Sequence, residues 1–292
     1  MVRAFTKYSF DVPDSKTIRL IINTDAKNEA DDQFAIVHAL LTAKFCIKGI
    51  IAAHFGTRRT RQSMQESYDE VLKVLSLMDM QQEFDVYRGA TRALEDESTP
   101  QPSEGAELIV REAMADDPKP LYAIFLGPLT DMAAAYLAEP RIAGRVTVIW
   151  IGGGAWPAGG AEFNLSNDIH AANVVFKSDL QVWQVPRNVY SSMRVSLAEL
   201  QAKVEPCGRI GQYLFRQMVE FNDTLADNAR WPLGESWSLG DSPAVGLLLD
   251  PQEYCYEWVP APYVTEEMTY VHEQKNRPIR VYSSIDARFI LE

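Results

Sequence analysis

Short runs of β-branched and aromatic residues alternate with segments of helical period along most of this chain, and no other feature restricts its fold as strongly. Thr17 to Ile22 reads as a buried strand, and Asp31 to Ala43 carries Phe34, Ala35, Val37, Ala39, Leu40 and Leu41, as a largely buried helix would. Phe45 to Ala52 is a second strand. Ser63 to Met78 is a second helix, with Met64, Val71, Leu75 and Met78 near one face. Further strands are predicted at Phe84–Tyr87, Leu121–Phe125, Val146–Ile151 and Leu180–Val185. Helices are predicted at Glu104–Ala115, Leu129–Leu137, Ile169–Phe176, Gly208–Phe221 and Ser242–Leu249. Strands alternating with helices of this length imply βαβ units, hence a Rossmann-like α/β fold with a mostly parallel sheet covered on both faces. The tail, with β formers at Tyr263–His272 and Ile279–Ser284, suggests a terminal β-hairpin. No composition break divides the 292 residues, so one domain over 1–292 is expected.

Charge narrows the partners. Acidic residues outnumber basic ones 40 to 28, a formal net charge of -12. A nucleic-acid binder needs a basic groove, and an anionic membrane surface attracts basic segments, so neither partner is expected. The longest apolar run in the middle of the chain, Val148 to Ile151, is far too short to cross a bilayer. Met1 to Val12 lacks the apolar core of a secretory leader. Cys46, Cys207 and Cys255 are scattered without metal-site spacing, which suits a reducing cytosol.

In open parallel sheets ligands bind at the carboxyl ends of the strands, so the residues just after each strand are the informative ones. The first strand runs into Asn23-Thr24-Asp25-Ala26-Lys27-Asn28-Glu29-Ala30-Asp31-Asp32, with four carboxylates within eight residues. Such crowding costs free energy unless a cation compensates, and a hard divalent ion with oxygen ligands is the natural one. A plainer reading makes Asp31 a helix cap and its neighbours partners of the helix dipole. Leu126-Gly127-Pro128-Leu129-Thr130-Asp131 follows another strand and leaves the Leu126 carbonyl at its end. The glycine-rich run from Gly152 to Gly160 fails the dinucleotide spacing and leads to Glu162 and Asn164, a pair suited to neutral hydroxyls such as those of a sugar. Asp241 precedes Ser242-Pro243 at an apparent helix start, where an N-cap is the plain alternative. His54 lies just past the second strand. No serine elbow or cysteine–histidine pair points to a nucleophilic hydrolase.

Taken in order, these pieces resemble the nucleoside hydrolases, the inosine-uridine nucleoside N-ribohydrolase family. The family pattern Asp-x-Asp-Pro-Gly-x-Asp-Asp appears as Asn23-Thr24-Asp25 followed by Asp31-Asp32. Gly127-Pro128-Leu129-Thr130-Asp131 matches a Gly-Pro-Leu-Thr-Asn turn, Glu162-Phe163-Asn164 a Glu-Phe-Asn, and Gly240-Asp241-Ser242-Pro243 stands where the family has His-Asp-Pro. The resemblance implies a Ca²⁺ held by Asp25, Asp32, the Leu126 carbonyl and Asp241, with Asp25 as general base for the attacking water. It implies ribose contacts from Asp31, Glu162 and Asn164, a nucleoside substrate, and a homodimer or homotetramer. The reaction is then hydrolysis of the N-glycosidic bond, whose oxocarbenium-like transition state an acidic pocket stabilises.

Three departures bear on that reading, the first being Asn23 in place of the first family Asp. The first loop carries two extra residues and lacks Pro-Gly, which brings Asn28 and Glu29 within range of the metal. The family histidine before the last aspartate is Gly240, so protonation of the leaving base needs another device. Trp156 and Trp237 are candidates to stack on a purine-like ring, and His54 is a candidate proton donor. The rival readings are a ribose-binding protein without turnover and a metal-dependent hydrolase of another bond, such as a phosphoester. Arg58, Arg59 and Arg61 after the second strand are the feature that favours the phosphoester.

Overall fold

Seven consecutive residues, Ile18–Thr24, are buried and form β1, an interior strand of the main sheet. The computed structural model describes residues 9–225, 234–272 and 275–292; residues 1–8, part of the stretch inspected for a leader, lie outside these. After β1 the chain continues through α1 (Asp32–Leu41), β2 (Phe45–Ala52), α2 (Ser63–Leu77), β3 (Val86–Arg88), α3 (Glu104–Met114), β4 (Leu121–Phe125) and α4 (Thr130–Ala138). It then forms β5 (Val146–Ile151), α5 (Phe163–Asn167), α6 (Ile169–Lys177), β6 (Gln181–Val185), α7 (Arg187–Tyr190), β7 (Arg194–Ser196), α8 (Leu197–Lys203) and α9 (Gly208–Thr224). The remainder is β8 (Ser236–Ser238), α10 (Pro243–Leu249), β9 (Tyr256–Pro260), β10 (Tyr263–Val264), β11 (Tyr270–Val271), β12 (Pro278–Tyr282) and α11 (Ala287–Leu291).

Eight strands form one sheet in the order β3-β2-β1-β4-β5-β6-β12-β9, parallel throughout except for β9 against β12. Side chains alternate across a strand, so β1 sends Leu20 and Ile22 into one core and Ile21 into the other. Ile50 and Ile51 of β2, and Ile124 and Phe125 of β4, divide in the same way. A strand buried on both faces has no polar side, which is why these segments read as unbroken apolar runs. Helices α3, α4 and α6 cover one face, while α1, α2 and α10 cover the other.

The chain reverses its direction of sheet growth at β1, with β2 added on one side and β4 on the other. That switch point opens a crevice above the carboxyl ends of β1 and β4. The C-terminal region is β-structured as expected, but with different partners. Tyr263–Val264 pairs with Tyr270–Val271 as a small hairpin of its own, while β12 joins the central sheet between β6 and β9. Five buried residues from Ile18 to Ile22 precede Asn23 and Thr24 in β1, so the strand runs two residues past its predicted end. Among the described residues, no helix is long and apolar enough to cross a membrane.

Candidate active site

Asp25 follows the last residue of β1 and is almost completely buried, 1% exposed. Its Oδ2 has no hydrogen-bond partner, and neither has Oδ1 of the neighbouring Asn28. Gly127 lets the two strand ends close up here, since a Cβ on it would lie 2.9 Å from Asp25 Cγ. Buried carboxylate and amide oxygens without donors are costly, so the pair marks a place where something electropositive belongs.

The plain capping roles of Asp31 and Asp241 are not seen. Asp31 occupies the N-cap of α1 without a side-chain cap hydrogen bond, and the N-cap of α10 is Ser242. Both side chains turn inward instead. Ligand oxygens of Asp31, Asp32 and Asp241 lie within 4.8 Å of one another. Thr24 Oγ1 donates to Asp32 Oδ1 at 2.5 Å, and the main-chain N–H groups of Gly240 and Asp241 donate to Asp31. Burial, reinforced by the neighbouring acids, pushes Asp25 and Asp241 well above the usual carboxylate range. Burial likewise raises Asp31 to about 6 and Asp32 to about 7. Glu29 is pushed up too, by removal from water and by Asp31 and Asp32, with Arg59 opposing the shift.

These carboxylates surround an inner cavity of about 40 Å³, which Leu126 also lines. The donor set is all oxygen, includes an orphaned carboxylate oxygen, and carries more negative charge than its own hydrogen bonds offset. It fits a hard divalent cation.

Asn164 and Glu162 frame the opposite wall. Glu162 is the N-cap of α5 and Asn164 lies inside that helix. Asn164 Nδ2 donates to the Leu126 and Ile151 carbonyls, each at 2.8 Å, stitching the ends of β4 and β5 together. Both amide protons are thereby used, and Oδ1 is what remains for a ligand. Glu162 accepts from Gly153 N, Asn164 N and Leu165 N at 2.9, 3.1 and 2.8 Å, and from the Tyr190 hydroxyl at 3.0 Å. Four donors fill the lone-pair sites of a carboxylate, so a substrate hydroxyl meets Glu162 together with Tyr190 rather than alone.

Tyr190 was not anticipated from the sequence. It lies in α7 directly after β6, so reading every strand end, as was done for β1, β4 and β5, would have found it. A Cβ on Gly240 would lie 3.0 Å from the Tyr190 ring and 3.3 Å from Asp31 Oδ2. Tyr190 therefore stands beside the position where the family pattern has histidine.

The three residues proposed for the base side are placed elsewhere. Trp237 is 1% exposed in a small core with Val195, Leu200 and Met218, and Phe221 meets its ring edge-on. Apolar packing claims it. Trp156 packs against Tyr270 and His272, with ring centroids 5.8 and 5.1 Å away, and does not line the cavity. His54 is buried below the site. Gly56 N–H donates to its Nδ1, which puts the proton on Nε2, facing Thr130 Oγ1 at 2.8 Å. Thr130 in turn donates to Asp168 Oδ2 at 2.7 Å. Burial holds the imidazole down at about 4, so it stays neutral and does not serve as an acid at the cavity.

Beyond the inner cavity lies an outer chamber of about 610 Å³, sharing Glu29, Asp31, Glu162 and Tyr190 with it. The fold and the site thus define a doubly wound α/β protein with an acidic, cation-fitting pocket at its switch point. The sequence signature described as "Inosine-uridine preferring nucleoside hydrolase" matches residues 20–291, and the chain belongs to that family. It is 28% identical over 181 residues to the inosine-uridine preferring nucleoside hydrolase of Leishmania major, covering 59% of this chain and 56% of that one. Its counterpart from Crithidia fasciculata is 25% identical over 194 residues, covering 63% and 61%. The matched stretch therefore spans less than two thirds of either relative. A purine-preferring ribonucleoside hydrolase from Gardnerella vaginalis shares the fold, with a TM-score of 0.76, 20% identity, and coverage of 94% of this chain and 95% of the other.

Proposed function

We propose that this chain hydrolyses the N-glycosidic bond of a ribonucleoside or a close N-riboside in a Ca²⁺-dependent reaction. The observation that carries the proposal is the orphaned, buried Oδ2 of Asp25, a residue lining the same cavity as Asp31, Asp32, Asp241, Glu162 and Asn164. Membership of the family supports it.

In this reading Asp25, Asp32, Asp241 and the Leu126 carbonyl hold the cation, and Asp31, clustered with Asp32 and Asp241, lies at the boundary with the sugar. A bound divalent cation supplies positive charge that offsets the acids and makes water at the site more acidic. Asp25 accepts the proton of the attacking water at Oδ2. Its Oδ2 is free to do so, because no other donor competes for it. Asp31 and Asn164 Oδ1 accept hydrogen bonds from ribose hydroxyls, while the Tyr190–Glu162 pair meets a third. As the bond to the base lengthens, positive charge grows on the ribose ring, and the surrounding carboxylates stabilise it without reorganising. Among the described residues no imidazole lines either part of the cavity. Assistance to the leaving base thus falls to the outer chamber.

The test is release of reducing sugar across purine and pyrimidine nucleosides. Asp25→Asn should lower turnover by about 10²-fold or more, the share of a general base. Full turnover in that variant would remove Asp25 from the role. Binding without turnover in the unmodified protein would favour the rival reading of a sugar-binding protein.

A further inference from the structure

Among the described residues, four arginines line the outer chamber: Arg58 and Arg59 after β2, Arg187 at the start of α7 and Arg194 at the start of β7. Among the described residues, none of them lies within 4.0 Å of a carboxylate oxygen. Three are fixed by main-chain carbonyls instead. Arg59 donates to Asn28 O, Arg187 to Ala161 O at 2.8 Å, and Arg194 to Ser191 O at 3.2 Å. A carbonyl orients a guanidinium without cancelling its charge, and each keeps further N–H groups for a ligand. Among the described residues, the carboxylates on the chamber wall are Glu29, Asp31 and Glu162, all shared with the inner cavity. The site therefore grades from acidic at its base to basic at its rim, within a chain whose net charge is -12.

Four cations of like sign around one concavity repel each other; Glu29 feels the charge of Arg59, but among the described residues no carboxylate forms an ion pair with any of the four. A pocket of this size admits a small molecule rather than a polymer. Resting on the function proposed above, we infer that the preferred substrate is an anionic N-riboside: its ribose sits in the acidic cavity and its phosphate or carboxylate group meets the arginines. That group has two sources, a 5′-phosphate on the ribose or an anionic substituent on the base. Phosphates and carboxylates both match the guanidinium fork.

Two matched pairs of compounds separate the sources: inosine with inosine 5′-monophosphate, and uridine with orotidine, whose base bears a carboxylate. Free base and inorganic phosphate are both measured. The anionic member of at least one pair should show a kcat/KM higher by about tenfold or more, an advantage that declines with added salt. Arg58→Gln and Arg194→Gln, changes at exposed side chains, should each reduce that ratio about fivefold, mainly through KM. Preference for the monophosphate assigns the anion to the ribose, and preference for orotidine assigns it to the base. The inference is overturned if neutral compounds are favoured in both pairs, if the arginine variants leave the ratios unchanged, or if phosphate is released in place of base. If no compound is turned over, the proposed hydrolysis fails. Calorimetric titration of the same pairs into the unmodified chain then decides the present inference by the same ratios.

Discussion

Asn23 and Asp131 form the most informative contact at the scale of single residues. The family pattern carries Asp at the first position and Asn at the second, and this chain reverses them. Asn23 Nδ2 donates to Asp131 Oδ2 at 2.9 Å, and Asp131 also accepts from Ala90 N and Ser103 Oγ. An amide and a carboxylate can pair whichever of the two positions supplies each, and the reversed pair forms this bond here. Asn23→Asp would face two buried carboxylates and should cost roughly 1–3 kcal/mol. Adding Asp131→Asn should restore most of that loss, a coupling that denaturant unfolding of the two single variants and the double variant measures. Additive losses would show that the two positions act independently. The sequence made Asn23 visible as a departure but not its partner, because 108 residues separate the two and only strand pairing brings them together.

At the scale of elements, the legible parts were those encoded locally. Buried parallel strands betray themselves as apolar runs, and the acids after β1 stand out because like charges seldom crowd without cause. What could not be read depends on packing between distant segments. The tryptophans illustrate this: aromatic side chains suit a core as well as a base-binding wall, and β7 against β8 places Trp237 in the core. His54 is a second example. It ties the loop after β2 to α4 through Thr130 and to the N-cap of α6 through Asp168. Because burial lowers its pKa from 6.5 to about 4, the folded state resists protonation that the unfolded chain accepts. Its contribution is present above pH 6.5 and is lost as the pH falls toward about 4, amounting to about 3 kcal/mol at most. Acid unfolding should show that slope in the parent protein. His54→Gln, which can still donate to Thr130, should remove it, and an equal slope in both would place the titration elsewhere.

The whole molecule is organised by charge as much as by the two cores that flank its sheet. Helices on both faces fix the sheet, the sheet fixes the strand ends, and the strand ends bring Asp25, Glu29, Asp31, Asp32, Glu162 and Asp241 to one cavity. Without a cation this arrangement opposes folding, since burial and mutual repulsion disfavour the ionised acids in the folded state alone. A ligand that binds only the folded chain stabilises it according to its excess over Kd, by about 2.7 kcal/mol at a hundredfold excess. For a chain of 292 residues that corresponds to a rise in Tm of roughly 4 °C. Ca²⁺ added to chelator-treated protein should produce a rise of this order, dependent on concentration and still present at moderate salt because the ligands are buried. Asp241→Asn removes one of the clustered charges, so the variant should begin with a higher metal-free Tm and gain less from Ca²⁺. Calorimetric melting of both proteins, with and without the ion, reads the two effects separately. An equal gain in both would place the cation outside the cluster of Asp31, Asp32 and Asp241.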